Sequence, residues 1–206
     1  MRQIDIIRHA ETAANAEGVF RGRNNVGLSD NGVQQAREVA GLYRETALDY
    51  VFSAPVRRAM QTAQLAFPSH KIISEELINN LDFGKWAGRP KKEVKEQEPE
   101  NWHLWVTTPE KLRFPEGESL GDVYKRVTEF LEKLARLEFE RLVVVSNRSV
   151  IKVLLAAVAG VTENYYWRFH MDNGSVTTLI HDPARGFTIT KLNYTEHLTR
   201  YVFEWN

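Results

Sequence analysis

The sequence predicts an α/β protein, a three-layer α/β/α arrangement around a mostly parallel central sheet. Short apolar runs bounded by turn residues alternate with helical patterns along the chain, as a parallel sheet covered on both faces requires. The first run, Ile4 to Ile7, is continuously apolar, the pattern of a strand buried on both sides. No repeat, low-complexity tract or linker divides the 206 residues, so one domain over 1–206 is expected.

The elements follow in order. The first strand is expected over Ile4–Arg8. A helix from about Asp30 to Glu45 carries Val33, Ala36, Val39, Ala40 and Tyr43 as an apolar stripe at helical spacing. Strands at Tyr50–Ser53 and Ile72–Ser74 flank a helix running through Arg58 to Ala66, with Pro55 suited to its first turn. Ser119-x-x-Asp122 has the form of a capping box opening an amphipathic helix to Leu137. A strand at Leu142–Ser146 precedes an apolar helix from Val150 to Ala159, which Gly160 stops. Strands at Val176–His181 and Thr188–Asn193 complete the set.

Residues 84–115 differ from this pattern. They are rich in charge and proline (Pro90, Pro99, Pro109, Pro115) yet hold Trp86, Trp102, Leu104 and Trp105, which reads as a small cap or lid inserted over a site. Its tryptophans and His103 either contact the organic part of a substrate or pack the insert on the body. The run Lys91, Lys92, Glu93, Lys95, Glu96 and Glu98 reads as a solvated helix face.

Composition excludes several functions. With 27 basic and 27 acidic residues the net charge is zero, so neither nucleic acid nor a membrane surface is an expected partner. There is no cysteine, which removes disulfides and thiolate metal sites and fits a reducing compartment. No secretory pattern opens the chain, and the longest apolar run, Val150 to Val161, is short and broken by Lys152. The expected location is therefore the cytoplasm, as monomer or homodimer. The chain has no Gly-x-Ser-x-Gly elbow, phosphate-binding Gly-x-x-x-x-Gly-Lys loop or His-Glu-x-x-His pair, so no metal or cofactor is expected.

The chemistry concentrates at Arg8-His9-Ala10-Glu11-Thr12, directly after the first strand, where open α/β sheets bind ligands. Arg8 can grip two phosphate oxygens in a fork, Thr12 can take a third, and His9 can attack phosphorus. Arg58, near a helix N-terminus, adds a second anion-binding group.

From end to end the chain resembles the histidine phosphatase superfamily, the phosphoglycerate-mutase-like proteins. Arg8 to Thr12 followed by Asn15 is similar to that family's Arg-His-Gly-Glu-Thr-x-x-Asn signature, with Ala10 in the glycine slot. Gly27-Leu28-Ser29, Gly32 and Gln35-Ala36 resemble its Pro-Leu-Thr-x-x-Gly-x-x-Gln-Ala segment. Ser53-Ala54-Pro55 with Arg58-Ala59 and Gln61-Thr62-Ala63 resembles the segment that delivers the second phosphate-binding arginine. Pro115 to Ser119 is similar to its Pro-Gly-Gly-Glu-Ser turn, and Asn173 to Val176 with Asn193, His197 and Leu198 to its closing strands.

The departures are specific. Val144-Val145-Ser146 is followed by Asn147-Arg148, where the family has its second catalytic histidine. In the segment Asn79 to Gly88, the family's proton-donating glutamate is replaced by Asn80; Asn25 stands where relatives often have aspartate. Together with Ala10, these changes read as natural divergence.

The resemblance implies a phosphomonoester hydrolase acting on a small phosphorylated metabolite through a phosphohistidine intermediate, with weakened or altered activity. His9, Arg8, Arg58, Asn147, Asn80 and Asp82 are the expected catalytic set. Thr12, Asn15, Arg21, Glu11 and Arg148 are the expected substrate- or phosphate-binding set. Asp82, two residues from Asn80 and so on the same face of an extended segment, is a substitute proton donor, with Glu11 and Glu118 as further candidates; the other reading is that Asp82 caps a turn. Arg148 either restores the missing positive charge or pairs with a surface acid. The alternative function is a diverged member that binds an anionic ligand, or catalyses another reaction in the same pocket. Phosphoglycerate mutase comes third, because the chain is short for that class.

Overall fold

The computed structural model describes residues 1–16 and 18–201. Among the described residues, six strands form one sheet: β1 (Arg2–Arg8), β2 (Tyr50–Ser53), β3 (Ile72–Ser74), β4 (Arg141–Ser146), β5 (Val176–Asp182) and β6 (Gly186–Tyr194), in the spatial order β3-β2-β4-β1-β5-β6. β3, β2, β4 and β1 are mutually parallel, and β5 and β6 add an antiparallel hairpin at one edge. The sheet is therefore mixed, parallel where the site forms. Around it lie α1 (Asp30–Leu42), α2 (Arg57–Ala66), α3 (Lys91–Gln97), α4 (Pro99–Thr107), α5 (Leu120–Arg136) and α6 (Arg148–Ala159). α1 packs on α2 and α5 on α6, in the expected three-layer arrangement.

The central strands follow from their sequence. Ile4, Ile6, Ile7 and Leu142 to Val145 are all essentially inaccessible to water, which is why these runs do not alternate with polar residues. The capping box forms: the Ser119 hydroxyl accepts from the Asp122 amide and Asp122 accepts from the Ser119 amide. Gly160 ends α6 in the left-handed conformation, φ 67°. Gly32 is required on other grounds, since a Cβ there would stand 2.0 Å from the Glu11 carbonyl oxygen. α1 thus lies directly against the loop that follows His9.

Three boundaries differ from expectation. α1 stops at Leu42 rather than Glu45, with the Tyr43 amide closing on the Ala40 carbonyl. Pro55 lies outside α2, because Val56 is its N-cap. α6 begins two residues early, at Arg148, with Asn147 as N-cap. In residues 84–115, Trp86, Val94, Trp105 and Phe114 share one buried cluster with Phe20 and Phe83. Among the described residues, no helix is long and apolar enough to cross a membrane.

Candidate active site

Three adjacent parallel strands deliver the site. Arg8 on β1 pairs with Ser146 on β4, and the His9 amide donates to the Ser146 carbonyl, so His9 and Asn147 leave the sheet side by side. Ser53 on β2 pairs with Val145 on β4, and α2 then brings Arg58 over the same strand ends. The carboxyl-end location follows from parallel topology.

Arg58 is the hub. Its Nε donates to His9 Nε2 at 3.2 Å and to Asn147 Oδ1 at 3.0 Å. One terminal nitrogen donates to Asn147 Oδ1 at 2.7 Å and to the Gly22 carbonyl at 2.8 Å; the other reaches the Asn24 carbonyl at 3.2 Å. These acceptors are neutral, and the residue is 2% exposed, so the guanidinium keeps a buried charge that they do not cancel. Burial, then the charges of Arg21 and Arg8, bring its pKa down to about 9, so it remains a cation at pH 7. A bound dianion would relieve this repulsion directly.

His9 Nδ1 lies 2.8 Å from the Ala10 carbonyl, which fixes the proton on Nδ1 and leaves the Nε2 lone pair facing Arg58. Burial, followed by Arg58, Arg8 and Arg21, holds the ring well below the usual histidine range, so it is neutral at pH 7. A neutral imidazole with Nε2 presented among cations is the form a phosphoryl acceptor needs.

The loop behind His9 is tied down by side chains. Ala10 N–H donates to the Thr62 hydroxyl, and both the amide and the hydroxyl of Thr12 donate to Asn15 Oδ1. Asn15 then donates to Asn173, whose amide donates to the His9 carbonyl at 2.9 Å. Arg8 is held by the Met171 carbonyl at 2.7 Å. Asn80, 6% exposed, donates to the same Gly22 carbonyl that Arg58 uses.

Among the expected catalytic residues, Arg8, His9, Arg58, Asn80 and Asn147 line one pocket, and Arg21 and Arg148 line it too. Asn147 Nδ2 is buried without a protein acceptor, a donor available to a bound oxygen. Thr12, Asn15 and Glu11 stand behind the lining. Glu11 accepts from Ser29 and Asn31 at the start of α1. Asp82 is also outside the lining: it accepts from the Gly84 amide and lies 3.7 Å from Arg23. It caps a turn, because the chain turns at Phe83 (ψ 1°) and Gly84 (φ 50°) and the alternation of an extended strand is lost. Glu118 pairs with Arg23 and Arg126. His103 is exposed and off the pocket. Among the described residues, no group of three or more His, Asp or Glu could hold a metal ion.

Sequence reasoning missed several participants. The carbonyls of Gly22, Asn24 and Met171 carry no residue signature. Asn173 and Thr62 sat in recognised motifs without an assigned role. Lys152, on α6 one turn after Arg148, is 4% exposed, with its ammonium 4.7 Å and 4.8 Å from the ring centres of Tyr166 and Trp167. Burial, then Arg148 and Arg8, bring its pKa to about 7. A base with a lowered folded-state pKa penalises the fold while protonated. Stability therefore rises with pH from about 7 towards the unfolded value of 10.5. Lys152→Met is expected to raise the melting temperature at pH 6 relative to its effect at pH 9; an equal shift at both pH values in thermal melts would contradict this assignment.

Comparisons with known proteins agree with the geometry. The sequence model of the histidine phosphatase superfamily (branch 1) matches residues 4–195. Phosphoserine phosphatase 1 of Hydrogenobacter thermophilus is 35% identical over 99% of this chain and 98% of its own. A phosphoserine phosphatase mutant from Entamoeba histolytica, solved with phosphoserine, superposes with a TM-score of 0.85 at 27% identity, covering 96% of this chain and 100% of its own. The α-ribazole phosphatase of Shigella flexneri gives a TM-score of 0.85 at 25% identity over 93% of this chain and 96% of its own. The chain is a phosphatase enzyme and belongs to branch 1 of the histidine phosphatase superfamily.

Proposed function

We propose that this protein hydrolyses phosphomonoesters of small metabolites without a cofactor, by transferring the phosphoryl group to His9 Nε2. The observation that carries the reading is the 3.2 Å contact between Arg58 Nε and a buried, neutral His9. Arg8, Arg58 and Arg21 neutralise the dianion, and Asn147 Nδ2 donates to one of its oxygens. As the dianion draws Arg58 to its oxygens, the Nε2 lone pair is released to attack phosphorus. The bond to the leaving oxygen breaks, and that oxygen takes a proton. Water then attacks phosphohistidine, giving inorganic phosphate and neutral His9.

The amides at positions 80 and 147 support slower turnover than a site with an acid and a second imidazole. Among the described residues lining the pocket there is no carboxylic acid, so the leaving group takes its proton from water. The same two amides favour a second reading, anion binding without turnover. The names of relatives support a small phosphorylated metabolite as substrate. The absence of cysteine supports a cytoplasmic location.

Inorganic phosphate at tens of millimolar, roughly the regime where weak anion sites fill, is expected to raise the melting temperature through preferential binding to the native state. It should also inhibit phosphomonoester hydrolysis competitively. A shift no greater than that from chloride at matched ionic strength would remove the phosphate pocket.

A further inference from the structure

A second cleft, of about 390 Å³, opens beside the His9 pocket, lined by Lys91, Trp102, Trp105, Val106 and Trp167. The two adjoin, with Lys91 and Trp105 lining both. α4 supplies Trp102, Trp105 and Val106, at helical spacings i, i+3 and i+4 that put all three on one face. Trp167 closes the cleft from the opposite segment. Its chain neighbour Tyr166 lines the phosphate pocket, where its hydroxyl lies 2.7 Å from Ser149 Oγ.

The cleft walls are both apolar and fixed. Trp167 is 40% exposed and Val106 49% exposed, so water covers apolar surface at the mouth of a polar site. Yet the Trp167 indole N–H donates to the Trp105 carbonyl at 3.1 Å. Its ring meets Trp105 and Tyr166 edge-on, with centroids 5.1 Å and 4.9 Å away. Trp105 is anchored in turn by Phe114 and Phe83. A preformed aromatic wall that loses little freedom on binding is a recognition surface for a flat ring.

The geometry points to a substrate class: phosphomonoesters whose organic group carries an aromatic or heteroaromatic ring, seated against Trp102, Trp105 and Trp167 while the phosphate lies among Arg8, His9 and Arg58. This rests on the phosphatase reading of the His9 pocket. A compact polar ester such as phosphoserine fills the phosphate site but brings no apolar surface to the cleft. Ring stacking against such walls corresponds to about tenfold or more in kcat/KM.

The test uses esters with the same kind of leaving oxygen, so that intrinsic reactivity does not decide the outcome: ethyl phosphate, 2-phenylethyl phosphate, 2-cyclohexylethyl phosphate and phosphoserine. The phenylethyl ester is expected to exceed the ethyl ester and phosphoserine in kcat/KM by about tenfold, and the cyclohexyl ester by a smaller factor. The phenylethyl-to-ethyl ratio should fall towards one in Trp167→Ala and Trp102→Ala, a readout that a general loss of activity does not move. Phosphoserine equal to or better than the phenylethyl ester, a cyclohexyl ester as good as the phenylethyl one, or a ratio untouched by both variants would overturn the assignment. If turnover is too slow to measure, melting-temperature shifts replace rates. A larger shift from phenylethyl than from ethyl phosphate supports the cleft, and equal shifts overturn it. No shift even from inorganic phosphate contradicts the phosphatase reading instead.

Discussion

His9→Ala is expected to abolish phosphomonoester hydrolysis, by at least about 10³-fold, while leaving the fold and the anion site in place. Loss of Nε2 removes the imidazole that the site holds neutral and unprotonated at Nε2 beside Arg58, the group assigned as the nucleophile. The structure separates this chemical role from the architectural one. The loop is held through the His9 backbone, whose amide reaches Ser146 and whose carbonyl accepts from Asn173, and neither bond involves the imidazole. Arg58 loses one neutral acceptor but keeps Asn147, Gly22 and Asn24. The variant should therefore melt within a few degrees of the parent, roughly what one small buried change costs. It should still show the phosphate-dependent shift. Retained activity in a steady-state phosphate-release assay would eliminate the covalent route.

The second large effect runs in the opposite direction. Asn80→Glu combined with Asn147→His should raise kcat/KM at least tenfold, roughly 1.4 kcal/mol of barrier, and exceed either single change. The two positions are coupled through Arg58. Asn147 Oδ1 accepts from two Arg58 nitrogens, so Asn147→His alone takes acceptors from a buried guanidinium, a loss of about 1–3 kcal/mol per orphaned group. Asn80 shares the Gly22 carbonyl with Arg58, so Asn80→Glu brings a carboxylate beside that guanidinium and restores its partner. The imidazole then adds a donor for the transition-state oxygens, and once the substrate dianion takes over Arg58 and adds its own negative charge, the carboxyl group is driven to its protonated form and can donate to the leaving group. A double variant that folds, binds phosphate and gains less than tenfold would shift the account to anion binding without turnover.

Much of the site was legible because its side chains carry specific chemistry. Arg8 and His9 could be placed at a strand end from the sequence, and Arg58 beside them from the family resemblance and its place near a helix N-terminus; the three line one pocket. Asn147 explains a boundary that was not legible. It is a residue type favoured at an N-cap and does sit at the N-cap of α6, but its oxygen accepts from Arg58 instead of from a helix amide, and the polar pair Arg148-Ser149 forms the first turn, so the helix begins two residues before the apolar run. Of the two readings of Asp82, the turn cap is the one whose geometry forms, because a left-handed Gly84 brings its own amide onto the carboxylate. The carbonyls that bracket Arg58 and Arg8 were invisible because every residue has one. Lys152 was read as a charge interrupting an apolar helix; its burial against Tyr166 and Trp167 depends on a turn more than ten residues further along.

In the proposed mechanism His9 Nε2 carries the phosphoryl group between two chemical steps. The most direct measurement is the intact mass of the protein, quenched in alkali during incubation with a phosphomonoester and followed by peptide mapping. An adduct of one phosphoryl group is expected on the peptide containing His9, formed in the parent and absent from His9→Ala. An unmodified mass during measurable turnover, or an adduct that persists in His9→Ala, would contradict it.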